Sequence, residues 1–356
     1  MTPLMEEILQ QPAMLAAVRK YYASPGAIPA KALRNLVKGW PPVVIFTGMG
    51  SSLFAAYPAQ AYLTSLGIRA FTWETAELLH HHIKILGPDV LLVVISQSGE
   101  TIEITNLLRA LSGGLGVLAV VNVEASTLAR KADFFLPMMA GRQSVVTTKT
   151  YISSVAVLMY LAFAIAQQDP RLVTHALLQM IDAQEAVIER QGQLIPATVE
   201  FFNHPTYTAI MARGADLSTA YQGALTLKEV ARLGIEAISA AQFQHGPIEI
   251  VHPSHRYIVI ARKDLLRPRS QIAVTAKFLV RLAEEIRSHG GRVLLLTDME
   301  VGEATNLRIV RVETAKLGMG TLVDSLHLQL MAHELALRAG LEPGKFWIAE
   351  EVTRVE

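Results

Sequence analysis

The sequence predicts an α/β protein: a doubly wound parallel sheet with helices on both faces, present twice. Three observations predict it. From Val43 onward, short apolar runs of strand length alternate with amphipathic stretches, the mark of parallel strands buried on both sides. One such run, residues 90–95, stops abruptly at Ser96-Gln97-Ser98-Gly99-Glu100-Thr101, and Ile102, Ile104, Leu107, Leu108 and Leu111 then follow at helical spacing. The second half also echoes the first. Gly67-Ile68-Arg69-Ala70 matches Gly234-Ile235-Glu236-Ala237, 167 residues later, and the same offset lays 91–95 on 258–262.

Residues 1–40 read as a helical segment, opened by Thr2-Pro3 as N-cap and first helical position. Residues 41–168 form the first domain. It holds strand 43–46, the turn Gly48-Met49-Gly50-Ser51-Ser52, a helix over 53–66 closed by Gly67, strand 68–73, strand 90–95 with its loop and helix, and strands 117–122 and 134–137. Residues 169–205 read as a helical connector, with Leu172, Leu177, Leu178, Ile181 and Val187 at helical spacing. The second domain, 206–340, resumes the alternation at Tyr207, and its VLLLTD (293–298) resembles VLAVVN (117–122); residues 341–356 are a tail. The offset lays Ser51 on Ser218 and Ser96 on Lys263. Where the first copy has SQSGET the second has KDLLRP, so one polar cradle per chain is expected.

Composition narrows the chemistry. With 51% apolar residues in 356, a large core is available, and a net charge of +1 gives no general attraction to nucleic acid or an anionic membrane. There is no cysteine, hence no disulfide, thiolate ligand or cysteine nucleophile in this chain. Glu6 and Glu7 stand where an export signal needs basic residues, so a cytoplasmic location is expected. The uncharged run 151–166 is short for a span of ~20 residues and contains Ser153 and Ser154; a helix buried between layers accounts for it.

The loop at 96–101 has a physical reading of its own. It lies at the carboxyl end of a strand and the amino end of a helix, where backbone N–H groups lack partners and the helix dipole favours an anion. Ser and Thr hydroxyls add donors without competing charge, and Gly99 allows close backbone approach. Ser98 or Thr101 as a simple N-cap, with nothing bound, explains part of the pattern; four hydroxyl or amide donors in six residues exceed what a cap needs. The 48–52 turn occupies an equivalent strand end, where ligands of such sheets sit. His80-His81-His82 does not read as a metal site, because neighbouring helix residues point about 100° apart; a place for one of the three at the pocket mouth is the alternative reading. Arg262, Lys263, Arg267 and Arg269 read as a solvated basic surface or a subunit contact.

Five motifs together resemble the SIS (sugar isomerase) family of tandem, flavodoxin-like phosphosugar-binding domains. They are Gly48-Met49-Gly50-Ser51-Ser52, the SQSGET loop, Val145-Val146-Thr147-Thr148-Lys149, Lys228-Glu229, and His245-Gly246-Pro247. The chain is similar to the isomerase portion of glutamine:fructose-6-phosphate amidotransferase and to related deaminases and deglycases. The resemblance implies that Gly50, Ser51, Ser52, Ser96, Gln97, Ser98 and Thr101 bind the sugar phosphate and that Val145 and Thr147 close over the sugar. It implies Glu229 as the base that moves a proton between C1 and C2, and His245 as the ring-opening acid/base. It also implies a two-fold dimer with His245 near the neighbouring subunit's site, and no metal or other cofactor. By residue type alone, Glu229 beside Lys228 and Arg232 reads as a solvated helix carboxylate, and His245 as a turn histidine.

The chain departs from the amidotransferase at three places: Gln222 stands for a glutamate, Thr226 for a lysine, and Glu350 or Glu351 for a lysine near the carboxyl end. Glutamine-dependent amination by this chain alone is therefore not expected. The expected activity is isomerisation of a sugar or amino-sugar phosphate, with or without loss of ammonia; the alternatives are a fructosamine-6-phosphate deglycase and a non-catalytic sugar-phosphate sensor.

Overall fold

The structure is a computed structural model that describes residues 1–111, 114–143, 146–203, 205–263, 266, 268, 271–312 and 316–348. The chain divides into two compact units. The first holds Gln10–Gln179 and the described residues from Phe346 on; the second holds Met1–Leu9 and Met180–Lys345.

After α1 (Pro3–Leu9), which belongs to the second unit, the first unit begins with α2 (Gln11–Tyr22) and α3 (Ala30–Asn35). Its alternation is β1 (Val43–Gly48), α4 (Ser51–Phe54), α5 (Tyr57–Ser65), β2 (Ala70–Glu74), α6 (Thr75–Glu77), β3 (Val90–Ser96), α7 (Ile102–Ala110), β4 (Gly116–Val121), α8 (Thr127–Lys131) and β5 (Phe134–Pro137). The strands pair in parallel in the order β2-β1-β3-β4-β5. Every residue of β3 is buried, as its unbroken Val/Leu/Ile run requires. One sheet face packs Ile45, Leu92, Val94 and Ala119 against Ile104 and Leu107 of α7 and Leu128 of α8.

The uncharged run forms α9 (Lys149–Ile165), in which every residue but Ala164 is buried. Phe163 stacks on Tyr62 of α5 at 4.4 Å and Tyr160 on Tyr22 of α2 at 5.5 Å, so the apolar surface is matched by protein. No described helix is long and apolar enough to cross a membrane.

α10 (Arg171–Phe201) runs from the first unit into the second. There follow β6 (Tyr207–Ala212), α11 (Leu217–Ala231), β7 (Ile235–Ser239), α12 (Ala240–Gln244), β8 (His255–Ala261), α13 (Val274–Ser288), β9 (Arg292–Thr297), β10 (Leu307–Arg311) and α14 (Thr321–Arg338). The sheet order is β10-β9-β8-β6-β7, all parallel, which is the first sheet's topology read from the other edge. α13 lays Leu279, Leu282 and Ile286 on Tyr257, Val259 and Leu295. α11 and α14 meet closely at Gly223, where a Cβ would fall 2.3 Å from Leu328 Cδ1.

The structure revises several sequence expectations. The helix expected over 53–66 is two helices, α4 and α5, because Pro58 takes a first-turn place where its missing N–H costs nothing. The strand expected at 68–73 is β2, two residues later at its start. His80, His81 and His82 lie in a π-helical turn, Leu78–His82, with successive ring centroids 6.4 Å apart. His82 stacks on Trp73 at 5.0 Å. Among the described residues no group of three His, Cys, Asp or Glu is placed to hold a metal.

The repeat is present, but its register differs from the 167 read from identities. β1 starts at 43 and β6 at 207, β3 at 90 and β8 at 255, separations of 164 and 165. Gly50 and Gly214, also 164 apart, share a left-handed φ of 49° and 61°.

Candidate active site

Two loops meet at the carboxyl ends of β1 and β3. A Cβ on Gly48 would lie 2.9 Å from the Ile95 carbonyl oxygen and 3.1 Å from Leu53 N, so only glycine permits this approach. Gly50 then turns the chain through its left-handed φ to place buried Ser51 and half-buried Ser52 at the start of α4.

The 96–101 loop is held from within and from its neighbour. Ser96 Oγ accepts from Gly99 N–H at 2.9 Å, and Ser98 Oγ from Glu100 N–H at 3.2 Å. Gln97 O accepts from Asn122 and Val123 N–H, both at 3.3 Å, and Gly99 O from Leu128 N–H at 3.1 Å. Glu100 Oε1 accepts from Thr127 N–H at 2.6 Å, which directs that carboxylate away from the loop's own donors. Thr101 is the N-cap of α7, but its side chain makes no cap bond. The simple-cap reading therefore falls short. Thr101 leaves the first-turn N–H groups of α7 without a side-chain cap, an arrangement that suits an anion.

The third motif is only partly described: Val145 lies outside the described residues, and Thr147 is half-buried just before α9. What fixes the segment is Gln143, which sequence reasoning missed. Its Oε1 accepts from Thr148 N–H at 3.2 Å, Thr150 N–H at 3.2 Å and Thr150 Oγ1 at 2.9 Å. Lys149, itself buried, donates to Gln10 Oε1 at 2.9 Å and to the Arg142 carbonyl at 2.6 Å. A single glutamine in a loop carries no periodic signal, so only tertiary structure reveals it. Gln143→Ala strands two buried N–H groups; a loss of roughly 1–3 kcal/mol in stability is expected in chemical unfolding.

In the second unit, Glu229 lies in the last turn of α11. The residue is half-buried, while its neighbour Lys228 is exposed. Glu229 Oε2 is buried and has no hydrogen-bond partner among the described residues. Burial pushes its carboxyl up to about 7. This corrects the solvated-carboxylate reading. On the same helix Gln222 and Thr226 are fully buried and bond to each other, Nε2 to Oγ1 at 3.2 Å, a neutral i,i+4 pair. His245 ends α12 in an exposed turn, with Gly246 at a φ of 128° directly after it. Arg262, expected in a solvated basic surface, is buried in an ion pair with Asp324 instead; Arg267 and Arg269 lie outside the described residues.

Residues 42–164 match the sequence model of the SIS domain. This segment is a SIS domain. Glutamine–fructose-6-phosphate aminotransferase [isomerizing] of Pseudomonas putida is 29% identical over 306 residues, covering 82% of this chain and 48% of that protein. The chain thus spans about half the length of the curated relatives it matches. The C-terminal domain of glucosamine-fructose-6-phosphate aminotransferase from Francisella tularensis superposes with a TM-score of 0.85 at 20% identity, covering 96% of this chain and 98% of that one. Glucosamine-6-phosphate deaminase from Thermotoga maritima gives 0.73 at 19% identity, with 99% of each chain covered. Both likenesses show the fold, two parallel α/β sheets in one chain.

Of the residues singled out in the sequence, Gly50, Ser51, Ser52, Ser96, Gln97, Ser98, Thr101 and Thr147 belong to the first unit and lie inside the SIS match. The strand-end loops bring the first seven together. Glu229 and His245 belong to the second unit, beyond the matched segment.

Proposed function

We propose that this SIS protein is a phosphosugar isomerase acting on a sugar or amino-sugar 6-phosphate. The observation that carries the reading is Glu229: a carboxyl with a buried oxygen that has no partner among the described residues, and a pKa pushed up to about 7 by burial, suits proton abstraction next to a carbonyl. Ser51, Ser52, Ser96, Gln97, Ser98 and Thr101 hold the phosphate. His245 gives a proton to the ring oxygen and takes one from the anomeric hydroxyl, which opens the ring. Glu229 then removes the C2 proton of the open aldose, and an enediol forms as the hydroxyl protons rearrange. Returning the proton to C1 gives the ketose. With an amino group at C2, the same proton transfer leads to an imine that water hydrolyses, releasing ammonia.

The test is a thermal-shift screen against hexose and hexosamine 6-phosphates, followed by ketose–aldose and ammonia-release assays on the binders. Binding without product in either assay defeats the enzymatic reading and leaves a sensor. Product with fructosamine 6-phosphates alone makes it a deglycase.

The exposed His245 turn serves the neighbouring subunit in a two-fold dimer. Mixing the inactive variants Glu229→Gln and His245→Asn under exchange conditions should restore about a quarter of wild-type activity, since half the dimers are mixed and each has one intact site. No recovery upon mixing means that His245 acts within its own chain.

A further inference from the structure

The two sheets share one topology, so the crevice at the carboxyl end of each can be read against the other. Counted from the strand ends, Gly214 stands where Gly50 does, Asp216 where Ser52 does, Arg262 where Gln97 does, and Asp298 where Asn122 does. A hydroxyl and two amides in the first crevice are two carboxylates and a guanidinium in the second.

That guanidinium already has an anion. Arg262 is 3% exposed. Its Nε donates to Asp324 Oδ2 at 2.9 Å and its Nη2 to Asp324 Oδ1, the paired geometry that also suits phosphate. Asp324 is fully buried in the first turn of α14. A Cβ on Gly320 would fall 2.7 Å from Arg262 Nε, so the helix start closes directly onto the guanidinium. Asp298 Oδ1 accepts from Lys263 N–H at 3.0 Å, and Asp216 and Asp298 both act on the same guanidinium electrostatically.

We propose that Asp324 is a built-in anion. With Arg262 it fills, in the second unit, the position that takes the sugar phosphate in the first, and its removal opens a second site for a tetrahedral oxyanion. The equivalence rests on the cradle reading of the first unit; the claim about Arg262 stands on the ion pair. A buried guanidinium deprived of its partner binds whatever anion can reach it.

Equilibrium dialysis of the full chain against labelled inorganic phosphate tests this. Wild type should bind one phosphate, Asp324→Ala two, and Arg262→Met/Asp324→Ala one again. If Asp324→Ala is insoluble in chloride, it should refold in phosphate of equal ionic strength. Folded Asp324→Ala that binds no more phosphate than wild type overturns the proposal, as does failure to refold in both salts. Wild type binding none while Asp324→Ala binds one would sink the cradle reading and leave this one standing.

Discussion

Glu229→Gln is expected to lower turnover of the true substrate by about 10²–10⁴-fold, the range of a lost general base, with the sugar phosphate still bound. The phosphate contacts assigned to the first unit do not involve Glu229, so KM should change little while kcat falls. The pH profile carries the sharper signature. The base must be deprotonated, and burial holds its carboxyl up to about 7, so wild-type kcat should rise as pH climbs through that value. A kcat profile flat from pH 5 to 8 would remove Glu229 from the role.

The same burial fixes a sign for stability. Because the folded pKa lies above the unfolded one, the protonated form is favoured in the folded state. Its stabilising effect is complete below the ordinary value of 4.5 and is lost as pH rises to about 7. At pH 8 the charged, desolvated carboxylate costs at most roughly 3 kcal/mol relative to low pH. Glu229→Gln should therefore raise the melting temperature at pH 8, with the gain shrinking below pH 5. A residue that stabilises the protein when removed, yet abolishes turnover, is retained for chemistry rather than for packing.

The sheets and the strand-to-helix loop at 96–101 were legible in the sequence for a local reason. An unbroken buried run such as Val90 to Ser96 followed by hydroxyls and a glycine is a strand meeting a ligand-sized turn, whatever surrounds it. The environment of Glu229 was not legible, since Lys228 beside it is exposed and Arg232 caps the helix with a left-handed φ of 56°. Those neighbours describe the helix's wet face, whereas the carboxylate is buried, which residue type along the chain does not show. Arg262 misled in the same way: it sits among basic residues along the chain, but Asp324, 62 positions on, decides its fate. The repeat register slipped because identities at 67–70 were matched locally, whereas strand ends and the paired left-handed glycines set the true correspondence.

Gly99→Ala should remove phosphate binding and destabilise the chain by roughly 2–5 kcal/mol, the sum of a left-handed backbone and an overpacked contact. Gly99 has a φ of 67°, and an added Cβ would lie 2.3 Å from Ser126 Oγ and 2.6 Å from Ser126 Cβ. Ser126 cannot simply rotate away, because its Cβ is part of the clash. Its Oγ also accepts from Ala129 N–H at 3.3 Å to cap α8, and the residue is buried. The strain must fall on the loop, whose Gly99 N–H is held by Ser96 and whose carbonyl is held by Leu128. Pairing Gly99→Ala with Ser126→Gly separates the two causes. The double variant should recover the overlap but not the backbone strain, a coupling of roughly 0.5–3 kcal/mol in a denaturation cycle. Phosphate affinity should return in step with it. Simple additivity would mean that Ser126 yields freely, and that the backbone conformation of Gly99, rather than its tight seat against α8, shapes the cradle.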